Sequence, residues 1–318
     1  MGFFYSQLFV TPEYPTHCFK DQAVIVTGSN VGLGLEAARH FVRLNAATVI
    51  LAVRNRSAGE AAKASIRESH PDSPTSIEVW DLDLASYASV LAFAEKVSQL
   101  PRLDVLLCNA SIATPTFQLA EGHERTITVN VINTILLGLL VLPTLRRSAK
   151  KYGTKPRLTT VVSEVHEWTK FPERTAENTF AALDDEKHTN MRERYATSKL
   201  LQVLILREIV ARMRDDSVVV NMLNPGLCHS QLGRDLGFKL ALMKIVMART
   251  TEVGSRTLLA GAAAGEESHG AYMTDGKVDN GALSDFVRSE EGKKVQEKVW
   301  GELREILEGI KPGVTGNL

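Results

Sequence analysis

Ala23-Val24-Ile25-Val26-Thr27-Gly28-Ser29-Asn30-Val31-Gly32-Leu33-Gly34 is the stretch that decides the fold. Apolar and β-branched residues run straight into a glycine, the mark of a short buried strand. From Gly32 to about Leu44 the apolar residues fall at helical spacing. The join between the two elements carries Gly28, Gly32 and Gly34. Glycine lets the backbone turn sharply and lets a phosphate come close, while a helix N-terminus offers free N–H groups at the positive end of its dipole. Gly34 would also let the helix pack tightly on the sheet. A glycine loop placed between strand and helix predicts dinucleotide binding by Gly28, Ser29, Asn30, Gly32, Leu33 and Gly34. The spacing is Gly-x-x-x-Gly-x-Gly, not the commoner Gly-x-Gly-x-x-Gly.

Outward from this stretch the rhythm repeats. Strand 48–53 is followed by helix 57–69, strand 77–80, helix 86–98 and strand 104–108. A long apolar helix is expected over 121–150, bent or divided at Pro143. Strand 158–162, helix 194–214 and strand 218–223 complete the series. Such alternation implies an α/β fold: one doubly wound, Rossmann-type parallel sheet with helices on both faces, in a single domain. Ligands of open parallel sheets bind at the carboxyl ends of the strands.

The expected organisation is an N-terminal extension over 1–20, a dinucleotide-binding domain over 21–285, and a C-terminal helix and tail over 286–318. Two stretches leave strand ends outside the rhythm and are placed to cover a pocket. One is polar, 164–193. The other, about 230–248, carries Leu236, Phe238, Leu240, Leu242, Met243, Ile245, Val246 and Met247 and reads as a substrate lid. Val295, Val299, Leu303, Ile306 and Leu307 share one helical face, which packs on the body or on a partner subunit.

Composition excludes several classes. The 318 residues are 44% hydrophobic and 23% charged, ordinary for a globular chain. Lysine plus arginine equals aspartate plus glutamate, at 37 each, so no global field draws in nucleic acid or an anionic membrane. Cys18, Cys108 and Cys228 lie far apart without metal spacing, and no metal site is expected; they fit a reducing compartment. His17 and His40 also lack metal spacing. The apolar run 129–145 is interrupted by Asn130, Asn133, Gly138 and Pro143, so a buried helix is expected and not a membrane span. No signal peptide is legible, which points to a soluble cytoplasmic protein. Met1-Gly2 and Ser6 formally match an acylation pattern, against which Phe3 and Phe4 speak.

Further motifs make the pattern specific. Cys108-Asn109-Ala110-Ser111 follows the fourth strand, Asn130 stands in Thr-Val-Asn-Val, and Ser163 follows Thr159-Thr160-Val161-Val162. Tyr195-Ala196-Thr197-Ser198-Lys199 opens a helix, and Asn224-Pro225-Gly226 precedes Ser230. With the glycine loop, these residues resemble the short-chain dehydrogenase/reductase family from about residue 20 to 280. The ending of the chain at 288–295 and the length between Ser163 and Tyr195 look like its retinol-dehydrogenase-like branch, particularly fungal members serving secondary metabolism. The resemblance implies a catalytic set of Asn130, Ser163, Tyr195 and Lys199. Tyr195 would exchange a proton with a carbonyl or hydroxyl oxygen, Ser163 would orient the carbonyl, and Asn130 would support a proton-relay water. Lys199 would also hold the nicotinamide ribose. Asp83, Leu84, Asn109, Ala110, Ser111, Pro225, Gly226 and Ser230 are implied cofactor contacts. Asp81 rivals Asp83, and Ser111 departs from the family's glycine. A homodimer paired through the central helix, here 135–145, is implied as well.

Tyr195 and Lys199 are four apart, so they share a helix face. A phenol near pKa 10 is a poor acid–base catalyst at neutral pH, and a neighbouring ammonium together with the positive charge of an oxidised nicotinamide is expected to lower it. Cofactor choice is read at the end of the second strand. An acid about twenty residues past the glycine loop would bind the adenosine 2′-hydroxyl, and an arginine accommodates a 2′-phosphate. That position is Arg54, with no acid anywhere in 49–59, so NADP(H) is expected. Arg56 and Ser29 are possible helpers. His166, Trp168, Cys228 and His229 are candidate pocket walls, and Cys108 a core residue.

The leading expectation is an NADP(H)-dependent enzyme that reduces a ketone or aldehyde, or oxidises the alcohol, of a lipophilic, polyketide-like small molecule. The same cofactor site could instead serve epimerisation, dehydration or C=C reduction. A non-catalytic cofactor-binding sensor or scaffold is the alternative from another class, and Tyr195 argues against it because a pure binder has no use for that phenol.

Overall fold

β1 (Ala23–Thr27) is buried along its whole length and lies between two parallel neighbours, β2 (Thr48–Val53) and β4 (Val105–Cys108). Its side chains alternate between two cores: Ile25 joins one apolar cluster, Val24 and Val26 the other. Strands buried on both faces need helices on both faces, and the chain supplies them. The computed structural model describes residues 3–229, 232 and 247–318. Ser230 and nearly all of the expected lid therefore lie outside the described residues.

The described elements run α1 (Phe3–Phe9), β1, α2 (Gly32–Arg43), β2, α3 (Arg56–Ser69), β3 (Ser76–Asp81), α4 (Tyr87–Ser98) and β4. A hairpin of β5 (Leu119–Ala120) and β6 (His123–Glu124) leads to α5 (Arg125–Ile127), a π segment (Thr128–Ile132) and α6 (Asn133–Tyr152). Then come β7 (Arg157–Val161), α7 (Thr179–Leu183), α8 (Met191–Arg212), β8 (Val219–Asn224), α9 (Thr251–Ala263), β9 (Tyr272–Thr274), β10 (Lys277–Val278), α10 (Asp285–Arg288) and α11 (Glu290–Ile310). Among the described residues one eight-stranded sheet has the order β10-β9-β8-β7-β4-β1-β2-β3, parallel except for β10. The chain reverses its winding direction between β1 and β4, and the crevice at their carboxyl ends is where a ligand fits. α2, α3 and α9 cover one face; α4, α6, α8 and α11 cover the other.

The long apolar helix differs from its expected form in two respects. It starts at Arg125, because Glu121 (φ 55°) and Gly122 (φ 87°) form the hairpin turn ahead of it. Its interruption is the five-residue π segment around Asn130 and not Pro143, which sits inside α6 on the exposed side. Proline removes the N–H that would bond the carbonyl four residues earlier, at Leu139. Asn317 supplies the missing donor, its Nδ2 lying 3.1 Å from that carbonyl oxygen. By composition this helix could cross a membrane, but 89% of its most apolar stretch is buried inside the fold.

The terminal segments close on the body. α11 buries Val295, Val299, Trp300, Leu303 and Leu307 in the same core as α8. The apolar side of α6, including Ile135, Leu136, Leu139 and Leu142, is covered from within the chain by neighbouring helices and the C-terminal turn. Arg146 donates to the carbonyls of Asn317 and Leu318. At the other end, Gln7 of α1 accepts from the Leu227 amide (3.0 Å) and donates to the carbonyls of Leu227 and Met247 (both 2.8 Å).

Asn317→Ala should therefore leave a buried helix carbonyl without a donor. A loss of about 1 kcal/mol, seen as a fall of roughly 1–2 °C in the circular-dichroism melt, is the expected result. An unchanged melt would mean that water or a shifted tail replaces the amide.

Candidate active site

The glycine turn is held in place by a knot of hydrogen bonds between the ends of β1 and β4. The Thr27 hydroxyl accepts from the amides of Asn109 and Ala110, each at 2.9 Å. The Asn109 side-chain amide donates to the carbonyls of Thr27 (2.9 Å) and Gly28 (3.3 Å). Gly28 and Gly32 have φ of 65° and 62°, the left-handed region where a side chain is strained. A Cβ on Gly34 would lie 2.5 Å from both the Asn109 amide nitrogen and the Gly28 oxygen, so only glycine fits.

α2 begins at this turn with Val31 as its N-cap, which gives its first-turn amides no side-chain acceptor. α3, α4, α9 and α11 are each capped by a side chain: Asn55, Ser86, Thr250 and Ser289. An uncapped twelve-residue helix behind a glycine cradle fits the diphosphate of a dinucleotide. Asn30, Leu33, Asn109, Ala110 and Ser111 are all half-buried around it. Ser29 is not: its buried hydroxyl turns back to the Val26 carbonyl at 2.9 Å.

At the end of β2, Arg54 is exposed and forms no hydrogen bond or ion pair with the described residues. Arg56 is engaged by Asp81 at 3.1 Å, which occupies the expected helper and the rival acid together. Asp83 caps the Ala85 amide (2.9 Å), and Leu84 is buried. Across the crevice, Pro225 is buried and Gly226 (φ 75°) packs under Gln7 and Arg249.

The four expected catalytic residues come together. Ser163 follows β7 in extended conformation, and its side chain lies close enough to the Tyr195 phenol, at the start of α8, to favour the ionised form. Lys199, one turn on, places its Nζ 5.6 Å from the Tyr195 ring centre. Buried Lys199 donates to Ser111 Oγ (2.8 Å), the Val161 carbonyl (2.9 Å) and Gln202 Oε1 (2.9 Å). Asn130 is buried in the π segment. Its side chain exchanges two bonds with the Ile112 backbone, both 2.9 Å, and donates to Ser198 Oγ at 3.0 Å.

Electrostatics correct one expectation. Apolar surroundings push the Tyr195 phenol well above its ordinary value, and Ser163 opposes this only in part. Burial lowers the Lys199 ammonium to about 7. Desolvation outweighs the ammonium's effect on the phenol, so in the protein alone Tyr195 is held protonated.

Four residues with a part here were not read from the sequence: Thr27, Ser198, Gln202 and Glu164. Gln202 left a signal, a lone amide in the apolar run 200–205. His166 turns out to be a support. It is buried, with Nδ1 at 2.8 Å from the Ser163 carbonyl and Nε2 accepting from the Ser284 amide at 3.1 Å. Trp168 is exposed and stacks edge-on against Phe3. Beside the catalytic set, a cavity of about 270 Å³ is lined by Phe3, Glu164, Trp168, Tyr272, Asp275 and Arg288 among others. None of the four expected catalytic residues lines it, and its walls are polar. Cys108 is core, its thiol pushed up to about 12 by burial.

This arrangement has close counterparts. The short chain dehydrogenase family model matches residues 22–155. A short chain dehydrogenase/reductase, dmxR8, of a Cryptosporiopsis species is 46% identical over 327 residues, covering all of both chains. The short-chain dehydrogenase anuD of Penicillium roqueforti is 45% identical, covering 99% of this chain and 84% of that one. The chain belongs to the short-chain dehydrogenase/reductase family, a family of oxidoreductases that bind NAD or NADP. Its fold is that of the NADPH-bound carbonyl reductase from chicken fatty liver (TM-score 0.61, 21% identity, 82% and 99% of the two chains). It is equally that of an NADH-dependent reductase complexed with NAD (TM-score 0.59, 20% identity, 83% and 98%).

Glu164, next to Ser163, gives the site a pH signature. Burial raises its carboxyl to about 7, against the hydrogen bond from Asn224 and the charge of Arg249. A folded-state pKa above the ordinary 4.5 means this group's stability contribution is complete below 4.5 and is lost as pH rises through 7. Glu164→Gln removes that loss. Between pH 5 and pH 8 the variant's melting temperature should gain on the parent's by roughly 2–4 °C. A difference independent of pH would show that Glu164 is ionised throughout.

Proposed function

We propose that this chain is an NADP(H)-dependent carbonyl reductase, or the corresponding alcohol dehydrogenase, in which Tyr195 is the acid or base. The observation that carries the reading is the cluster of Ser163, Tyr195 and Lys199 at the carboxyl end of β7, facing the glycine cradle across the crevice. Bound in that cradle, the dinucleotide would supply or take up a hydride. The protein's own residues do the rest. Ser163 orients the substrate oxygen and Tyr195 delivers its proton to it. A phenol kept protonated by burial is in the form that donates to a carbonyl oxygen.

Lys199 serves the cofactor and the phenol. Of its three acceptors, Val161 and Gln202 are buried and Ser111 stands half-buried on the open side, so the Ser111 bond is the one that can be exchanged for a ribose hydroxyl. The substrate is a lipophilic, polyketide-like ketone or aldehyde. The support is the apolar 236–247 sequence, together with the resemblance to the retinol-dehydrogenase-like branch and its fungal members in secondary metabolism. The acidic cavity beside Ser163 gives such a ligand no support, so the apolar body is assigned to the crevice itself.

Tyr195→Phe removes only the transferable proton. Turnover of lipophilic ketones, followed by NADPH absorbance, should drop about 10²–10⁴-fold while NADPH affinity stays nearly constant. A variant that keeps more than half the parent rate would remove Tyr195 from the chemistry.

Cofactor choice is assigned to Arg54. A guanidinium can take a 2′-phosphate through paired, charge-assisted hydrogen bonds. Because Arg54 is exposed, screening leaves roughly a 10-fold preference for NADPH over NADH. Arg54→Asp should cancel this preference by repulsion and leave NADH binding equal or tighter. Dissociation constants for both cofactors, measured on parent and variant at one ionic strength, decide the matter. A parent that binds both equally would overturn the assignment.

A further inference from the structure

Gln202 lies one turn beyond Lys199 on α8, within a run of buried apolar residues. An amide in such a place is costly unless both of its ends are bonded, and here they are. Its Oε1 accepts from Lys199 Nζ at 2.9 Å, and its Nε2 donates to the Asn130 carbonyl at 2.6 Å. An ammonium can only donate and a carbonyl can only accept, so the amide has one possible orientation. We propose that Gln202 is a positioning residue for Lys199, tying the ammonium to the backbone of the π segment so that it stays charged and aimed at the crevice. This rests on the role given to Lys199 above.

Two features support it. The three hydrogens of Lys199 meet three neutral acceptors, and burial is the only influence resolved on its proton affinity. The titratable group facing it is Tyr195, on the same helix. β7 contributes the Val161 carbonyl, the loop after β4 the Ser111 hydroxyl, and the π segment the Asn130 carbonyl through Gln202. The charge on Lys199 therefore depends on these acceptors, since hydrogen bonds to the charged form favour it. The second feature concerns proton movement. A primary amide neither gains nor loses a proton at ordinary pH, so the link between Asn130 and Lys199 holds the ammonium and conducts nothing. The relay water implied for Asn130 by the family resemblance is not needed for this link.

The test is the pH dependence of NADPH binding, followed by fluorescence between pH 5 and 9, which requires no substrate. In the parent, affinity should fall as pH rises and the ammonium that attracts the anionic cofactor is lost. Gln202→Met keeps the reach and removes the acceptor, and its midpoint should move down by about one pH unit. Gln202→Glu keeps the shape and adds a carboxylate, and its midpoint should move up by at least as much. A packing role alone would weaken binding equally at every pH, so unmoved midpoints in the folded variants would overturn the proposal. Lys199→Met separates this from the underlying reading. If that variant keeps the parent's pH dependence, Lys199 is not the titrating group, and the Gln202 proposal falls with it. If it abolishes the dependence while the Gln202 variants leave the midpoint in place, only the Gln202 proposal fails.

Discussion

The hydrogen-bonded knot between Thr27 and Asn109 is the constraint on which the rest of the site depends. Two parallel strands that leave in opposite winding directions open a crevice at their ends, and something must set its width. One hydroxyl accepting two amides, and one side-chain amide reaching two carbonyls, fix it to within hydrogen-bond tolerance. That closeness is also why Gly34 has no room for a side chain. The cofactor cradle and the strand pairing are thus one structure: loosening either would move the other.

A second set of buried polar groups spans the opposite wall. Asn130 bonds Ile112, Ser198 and, through its carbonyl, Gln202; Gln202 bonds Lys199; Ser198 bonds the Tyr195 carbonyl at 2.7 Å. Arg194, beside Tyr195, lies 3.6 Å from Glu124, the residue that caps the turn leading into the π segment. The links from Asn130 to Ser198 and Gln202, and from Glu124 to Arg194, cross between α8 and the segment around Asn130. Because unpaired polar groups in such a dry setting are costly, the two elements have one relative position in which most of these groups are satisfied. That position places the phenol and the ammonium on the crevice.

Much of this was legible in the sequence. Apolar runs mark the strands because a strand buried on both faces takes apolar residues throughout, and the glycine loop announces itself because glycine takes those φ values without strain. Ser163, Tyr195 and Lys199 were readable through the family resemblance, whose motifs put each at a fixed place relative to a strand end or a helix turn. Reading went astray where a local rule met a distant partner. Pro143 should break a helix, and Asn317, far along the chain, repairs it. The ammonium should lower the phenol, and burial by the whole fold outweighs it.

The sequence by itself determined the alternation of elements, the glycine cradle and the arginine at the end of β2, because each is carried by neighbours along the chain. Tertiary structure alone decided the rest. It showed Ser29 turned inward and Arg56 taken up by Asp81. It turned His166 into a support for Ser163, laid α1 against the Leu227 turn, and gave Lys199 three acceptors drawn from three different elements. Burial and hydrogen-bond partners are properties of the packed chain. A side chain's charge and direction follow from what surrounds it, and those surroundings exist only once distant segments have met.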